Sequence, residues 1–229
     1  MPKINLYGSR ISPFVEKVAR ALALKKLEFR QVDLKSPGDL KRWNRVTGKM
    51  PVLEVDGEKV YDSTFILRRL DEIQPDPPLF SDDPSAAAAQ RMLEDWSDES
   101  LYWYVMALRW SPKNEAATIR QILPTVPALL RPLVGLIVSR QIGSMPRVQG
   151  LGRLPEDVLV REAGLRLDDL IGQLGQRPFF FADRVSAADL AVYGELRTAL
   201  SGPTPEFDAL ISERPVLADH MKRVEDCTG

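Results

Sequence analysis

The 229-residue chain has few of the residues that bind metals or form disulfides. It contains one cysteine, Cys227, and one histidine, His220. A lone cysteine excludes an internal disulfide and a Cys-x-x-Cys redox or zinc motif, and a lone histidine excludes a histidine metal site. We therefore expect no metal. We expect Cys227 in a mobile C-terminal tail and His220 on the surface of the final helix.

The chain also lacks a charge excess and a long apolar run. It has 31 basic and 32 acidic residues, a net charge of -1, which attracts neither nucleic acid nor anionic lipid. Its most apolar segment, residues 128–138, contains Arg131 and Pro132 and is shorter than the roughly 20 residues that span a bilayer. The first seven residues do not resemble a signal peptide. We expect a cytoplasmic protein with no nucleic-acid or membrane partner.

The first 80 residues alternate between strand and helix patterns. Strands are predicted at 3–7 and 28–34 and on either side of Asp56-Gly57, and helices at 13–26, at 41–45 and from Ser63 onward, which the serine would cap. A helix that crosses between two strands makes them parallel, whereas a hairpin adds antiparallel strands. The order therefore predicts a thioredoxin-like α/β domain over residues 1–78.

The remainder of the chain reads as helical. The prolines at 75–78 end the first domain, because closely spaced prolines cannot continue a helix. Long helical patterns follow at 86–110, 156–174 and 187–200, and Ser186 with Asp189 has the spacing of a capping box. The predicted fold class is α/β plus all-α, with the all-helical domain at 85–229.

Residues 7–14 place hydroxyl groups where the first strand gives way to the first helix. Ser12 stands where an N-cap belongs, and Pro13 suits the first helical turn. Ser12 is either a cap worth about 1 kcal/mol or the donor to an anionic sulfur held at the helix N-terminus. Tyr7 and Ser9 are the competing donors.

Two later motifs could hold a ligand with amino-acid character. Pro51 begins the hairpin, and a cis Met50-Pro51 bond would turn the Met50 backbone toward a peptide-like ligand. Asp62 and Ser63 open the third helix, either as a cap or as partners of an ammonium and a carboxylate. Five side chains make the helix at 86–110 rich in large residues, which indicates a core, a dimer interface or an apolar binding surface: Trp96, Tyr102, Trp103, Met106 and Trp110.

In this order, and ahead of an all-helical region, these motifs resemble the cytosolic glutathione transferase superfamily over nearly the whole chain. The resemblance implies a serine-type enzyme in which Ser12 activates the thiol of glutathione, its co-substrate, for attack on a small hydrophobic electrophile. It implies that glutathione binds at Lys49, Met50, Pro51, Asp62 and Ser63. It also implies an electrophile pocket at Trp103, Met106 and Trp110.

The same resemblance implies a homodimer, in which the first domain of one subunit pairs with the helical domain of the other. The helical half is further similar to the metaxin-like and failed-axon-connections-like branch, through the segments at 149–153, 175–183 and 186–189. That branch is less uniformly enzymatic. A non-catalytic, glutathione-transferase-like binding or scaffold module is therefore the alternative function.

Overall fold

The computed structural model describes residues 2–34, 36, 38–123 and 126–229. Four strands form one sheet: β1 (Ile4–Tyr7), β2 (Arg30–Val32), β3 (Val52–Val55) and β4 (Glu58–Tyr61). The strand order is β2-β1-β3-β4, with β1 parallel to β2 and antiparallel to β3, and with β3 antiparallel to β4. The predicted thioredoxin-like arrangement is confirmed.

Twelve α-helices are present in the described residues. They are α1 (Pro13–Leu24), α2 (Gly38–Trp43), α3 (Ser63–Ile73), α4 (Pro84–Trp96), α5 (Tyr102–Arg109), α6 (Glu115–Ile122), α7 (Arg131–Val138), α8 (Met145–Gln149), α9 (Glu156–Leu174), α10 (Ala187–Ser201), α11 (Pro205–Ser212) and α12 (Pro215–Thr228). None of the helices in the described part of the chain is long and apolar enough to cross a membrane.

The sheet is held by apolar side chains on two helices and on the strands. Leu6 of β1 and Leu53 of β3 are fully buried, as are Val18 of α1 and Leu67 of α3. Each such burial contributes about 1.5–3 kcal/mol. The apolar spacing that predicted α1 and α3 is the spacing of these buried residues. The positions of the two helices therefore follow from local sequence alone.

The predicted single helix at 86–110 is wrong in one respect. A five-residue π-helical turn, Ser97–Leu101, separates α4 from α5. The buried hydroxyl of Ser97 donates to the carbonyl of Leu93 at 2.8 Å, and such side-chain bonds accompany local changes of helical pitch. The spacing of apolar residues does not reveal a single extra residue in a helical turn, so the sequence did not predict the π-helical turn.

The chain divides into two compact units. The first comprises Met1–Asp98, Gln173–Gly194 and Asp219–Gly229, and contains the sheet; the second comprises Glu99–Gly172 and Glu195–Ala218. These units are defined by which residues pack together. The domain boundaries 1–78 and 85–229 were read from the order of sequence patterns and stay a prediction.

His220 lies in the interior of the first unit, so its expected surface position is wrong. Its Nε2 lies 2.8 Å from Asp189 Oδ1, and its ring centroid lies 5.0 Å from that of Phe180. Asp189 Oδ2 also accepts from the amide and the hydroxyl of Ser186, which is the half of the predicted capping box in which the later side chain bonds back to the N-cap amide. Cys227 is exposed, but it lies within α12 rather than in a mobile tail.

Candidate active site

Gly8 makes the turn between β1 and α1 and lets two segments meet. It has a φ of 138°, and a Cβ built there would lie 2.6 Å from Val15 Cγ2 and 3.2 Å from Met50 Cβ. A side chain at this position would be strained and would clash. Glycine therefore allows the corner after β1 to pack directly against the loop that carries Met50.

Ser12 occupies the N-cap position of α1 without capping it through its side chain. Its backbone is extended, its carbonyl accepts from the amide of Glu16 at 3.0 Å, and Pro13 begins the helix. Within the described residues, the half-buried hydroxyl of Ser12 makes no hydrogen bond. The predicted position is confirmed, but the bond that would make Ser12 a helix cap is absent. Its hydroxyl stands at the positive end of the helix.

Of the two competing donors at this corner, Tyr7 differs from Ser12 and Ser9 resembles it. The Tyr7 hydroxyl donates to Glu54 Oε2 at 3.2 Å, and burial together with the nearby Glu54 carboxylate raises the pKa of Tyr7. That hydroxyl is therefore engaged, and a higher pKa makes it a poorer proton donor. Ser9 is half-buried, and in the described part of the chain its hydroxyl has no hydrogen bond either.

A buried carboxylate fixes the loop that precedes Ser12. Glu16 is fully buried and accepts from Arg10 through two bonds of 2.6 and 2.8 Å, and from Arg20 at 2.9 Å. Charge-assisted bonds of this kind are stronger than neutral ones, so they hold the 8–12 segment against α1. The pair of Arg10 and Glu16 has no signal in the sequence, because Arg10 precedes the helix and the i,i+4 spacing of helical ion pairs does not apply there.

The loop that leads to Met50 is organised by buried Asn44. Its Oδ1 accepts from the amide of Thr47 at 2.9 Å, and its Nδ2 donates to the Thr47 hydroxyl at 2.7 Å and to the Lys49 carbonyl at 3.1 Å. The Met50-Pro51 bond is cis, as predicted. Lys49 is exposed, Met50 half-buried and Pro51 buried. The spacing of Asn44 three residues before Thr47 was a sequence signal for this side-chain-stabilised turn, and it was not recognised.

The start of α3 is capped by Asp62 rather than by Ser63, which corrects the sequence assignment. Asp62 Oδ1 accepts from the amide of Thr64 at 2.9 Å, and Ser63 is the first helical residue. Asp62 has a φ of 75°, a conformation that costs a non-glycine residue about 1–3 kcal/mol and that concentrates at functional sites. Among the described residues, neither Asp62 Oδ2 nor the Ser63 hydroxyl is hydrogen-bonded.

A buried charge network lies beneath the start of α3. Lys17 of α1, which is 1% exposed, donates to Glu94 Oε1 at 2.9 Å and to Asp98 Oδ2 at 2.5 Å. The Thr64 hydroxyl donates to the same Glu94 oxygen at 2.7 Å. The network therefore ties α1, α3 and α4 together within the first unit, next to Asp62.

Two members of this network have shifted pKa values. Burial raises the pKa of Asp98 to about 6, since the attraction of Lys17 offsets it only in part and the charges of Glu94 and Asp62 add to the shift. Burial alone would lower the pKa of Lys17, but Asp98 and Glu94 outweigh it and raise that pKa, so the lysine is charged. A lysine among the apolar positions of α1 was the sequence signal for this network.

The three residues expected to contact an electrophile lie in the second unit, on and just after α5. Trp103 is half-buried, whereas Met106 and Trp110 are buried. Trp110 lines a cavity of about 90 Å³, whose other walls include Ser111, Gly143 and Pro146. The small size of Gly143 leaves room for the indole, because a Cβ there would lie 2.7 Å from it. Their role toward a second substrate stays a prediction.

The part of the chain that the structure describes contains no cluster of metal ligands. No group of three or more histidine, cysteine, aspartate or glutamate side chains is arranged there to hold a metal ion. The β1–α1 corner, the Met50 loop and the start of α3 supply hydroxyls, carboxylates and two helix N-termini, which offer hydrogen bonds and charge.

Residues 6–78 match the sequence profile of a family described as glutathione S-transferase, N-terminal domain. The isoprene-epoxide–glutathione S-transferase of Rhodococcus sp. strain AD45 is 28% identical over 232 residues, which covers 93% of this chain and 91% of the relative. Glutathione transferase GST 23 of Zea mays is 33% identical over 135 residues, or 56% of this chain and 61% of the relative.

Solved structures extend the likeness to the whole chain. A glutathione S-transferase of Methylobacterium radiotolerans, in complex with glutathione sulfonate, is 28% identical with a TM-score of 0.64, and the match covers 97% of this chain and 90% of that one. A tau-class glutathione S-transferase from mango has a TM-score of 0.61 at 18% identity, with 99% and 93% covered. The second likeness shows the shared fold.

Proposed function

We propose that this chain belongs to the glutathione S-transferase superfamily and is a serine-type glutathione transferase, in which Ser12 activates the thiol of glutathione. The observation that carries the proposal is the state of two hydroxyls at the β1–α1 corner. The Ser12 hydroxyl lies at the N-terminus of α1 and makes no cap bond, while the Tyr7 hydroxyl is bound to Glu54. The Tyr7 hydroxyl donates its proton to a carboxylate, whereas the Ser12 hydroxyl donates its proton to no described residue and can donate it to a sulfur.

The required activation is within the reach of such a site. A free thiol has a pKa of about 8.5, so about 3% of it is thiolate at pH 7. Lowering that pKa by about two units makes roughly three quarters thiolate and needs about 2.7 kcal/mol of preferential stabilisation. One hydrogen bond to a charged group supplies about 1.5–3 kcal/mol, and a helix N-terminus about 0.3–1 kcal/mol.

The remaining contacts to glutathione are assigned to the other two segments. Lys49, Met50 and Pro51 would hold the peptide part, because Gly8 brings that loop against the corner that carries Ser12. Asp62 would bind the γ-glutamyl ammonium with the oxygen that the Thr64 amide leaves open. The Ser63 hydroxyl, in the first turn of α3, would take the carboxylate.

The second substrate is proposed to be a small apolar electrophile received by Trp103, Met106 and Trp110. The Rhodococcus relative is named for isoprene epoxide, so a small apolar epoxide is the first compound to try. In that reaction a sulfur–carbon bond forms, the epoxide carbon–oxygen bond breaks, and the freed oxygen takes a proton from water. The enzyme forms no covalent intermediate.

A cytoplasmic homodimer completes the proposal. Phe65 of α3 and Met92 of α4 are 57% and 74% exposed, and apolar side chains of this size gain free energy when a second copy covers them. The similarity of the helical half to the metaxin-like branch stays a prediction from its sequence segments.

Isothermal titration with glutathione separates the enzyme from its alternative, a non-catalytic binding or scaffold module. We expect binding in the range below millimolar, followed by conjugation when an epoxide is added. If the chain binds glutathione but conjugates it to none of the epoxides tried, the non-catalytic binding or scaffold module is favoured. If no heat of binding develops up to millimolar glutathione, the proposed function is wrong.

A further inference from the structure

Helix α7 and the turn before it expose a row of large apolar side chains. Leu129 is 95% exposed and Leu133 60% exposed, and the row continues through Leu130, Leu136 and Ile137. The positions follow the spacing i, i+1, i+4, i+7 and i+8, which places them on one face of a helix. We call these five residues the leucine face. Contiguous apolar surface of this kind usually marks an interaction site.

The opposite side of α7 shows that this orientation is built into the sequence. Gly135 is buried, and a Cβ there would lie 3.0 Å from Ile119 Cγ2, so the helix turns its smallest residue toward α6. The Ser139 hydroxyl, just after α7, also donates to Glu115 Oε1. A larger residue at Gly135 would push the helices apart. The leucine face therefore cannot rotate inward without losing this packing.

The segment that carries the leucine face has charge of one sign only. Between Glu115 and Glu156 the sequence contains no aspartate, glutamate or lysine, and its five charged residues are all exposed arginines: Arg120, Arg131, Arg140, Arg147 and Arg153. The net charge of -1 for the whole chain conceals this local concentration. Local charge, rather than net charge, decides what approaches a surface within a Debye length.

From these two features we propose that the leucine face docks on an anionic lipid bilayer, with α7 lying in the plane of the interface. Amphipathic helices that insert large apolar side chains between headgroups, and that carry arginines, bind such surfaces. The side chains protrude instead of lining a groove, which suits a lipid surface better than a bound peptide. Pairing of the leucine face of one copy with the leucine face of another would bring arginines of like charge together.

The test uses the full chain with vesicles of phosphatidylglycerol and phosphatidylcholine in equal parts, and with vesicles of phosphatidylcholine alone. We expect the chain to sediment with the anionic vesicles, to bind the neutral ones at least about tenfold more weakly, and to be released as salt is raised. Absence of binding to the anionic vesicles overturns the proposal.

The apolar side chains and the arginines are tested by separate double variants, the apolar side chains first. Leu133→Glu with Ile137→Glu is expected to lower the vesicle partition coefficient at least about tenfold. Its matched control, Leu165→Glu with Val216→Glu, changes two apolar side chains that are exposed outside this segment, and it is expected to bind like the parent. Equal loss in both variants would show that added negative charge, and not the leucine face, governs binding, which overturns the proposal.

The arginines are tested by Arg131→Gln with Arg140→Gln. One basic residue near an anionic surface contributes roughly fivefold, so the pair is expected to lower binding about thirtyfold. The control is Arg91→Gln with Arg161→Gln, which removes the same charge from exposed positions elsewhere. Unchanged circular dichroism shows that the variants fold. A halved light-scattering mass for the Leu133→Glu, Ile137→Glu variant without lipid would make the face an interface between copies and reject the lipid.

Discussion

Replacement of Ser12 by alanine removes one hydroxyl whose role can be separated from helix stability. Because the Ser12 side chain makes no cap bond, the loss in free energy of unfolding is expected to stay within about 0.5 kcal/mol. A capping serine would cost about 1 kcal/mol. Thermal or denaturant unfolding of the two proteins distinguishes these values before any glutathione is added.

The effect on the bound thiol is much larger. Losing a hydrogen bond to a charged sulfur costs about 1.5–3 kcal/mol, and each pKa unit corresponds to 1.36 kcal/mol, so the thiol pKa should rise by about one to two units. At pH 7 the thiolate then falls from roughly three quarters to between about 20% and 3%. Turnover at neutral pH should drop between about fourfold and twenty-five-fold. Glutathione affinity should change little, because most contacts lie in the other two segments.

The ultraviolet absorbance of the thiolate, followed against pH in the glutathione complex, measures this shift directly. Ser12→Thr keeps a hydroxyl and should restore part of the signal, whereas Ser12→Ala should not. Matched controls are Ser9→Ala and Tyr7→Phe, which remove the two neighbouring hydroxyls. If Ser12→Ala titrates like the parent while either control loses the thiolate signal, the assignment of Ser12 is refuted.

Three further outcomes are expected. Asp62→Asn keeps the cap and tolerates the positive φ but loses the charge, so the Michaelis constant for glutathione should rise about ten- to 150-fold; an unchanged constant contradicts the γ-glutamyl placement. Asp98 gains a proton as the pH falls through about 6, which removes negative charge near Asp62, so glutathione affinity should fall from pH 7 to pH 5. Titration calorimetry should show a flatter profile for Asp98→Asn, and an identical one excludes Asp98. Light scattering at micromolar concentration should give twice the chain mass, halved by Met92→Glu; a monomeric parent ends the dimer prediction.

The parts of the fold that sequence predicted are those that local chemistry decides. The hairpin at Asp56-Gly57 forms because both residues adopt positive φ, at 50° and 93°, as a two-residue hairpin turn requires. The N-cap position of Ser12 follows in the same way from the proline after it. The sheet order then needs only the rule that a helical crossover joins parallel strands.

The partners of the buried lysine could not be predicted, because they are far from it in sequence. Lys17 meets Glu94 and Asp98 across 77 and 81 residues, and no spacing rule relates them. From the sequence pattern alone, a lysine on the apolar side of α1 would be expected to extend its charge to solvent. Two carboxylates on α4 and the π-turn after it make burial tolerable instead, since a buried charge is stable only when paired.

The role of Ser12 itself illustrates the limit most sharply. A capping serine and a thiol-activating serine occupy the same sequence position, precede the same proline and have the same backbone conformation. What separates them is whether the hydroxyl donates its proton to a bound sulfur, and that depends on a side-chain torsion that no sequence pattern encodes. The Arg10–Glu16 bonds that hold the preceding loop are equally invisible to periodicity. The missing cap bond leaves the Ser12 side chain without a structural role at the helix start, so the titration of the Ser12→Ala variant decides its role.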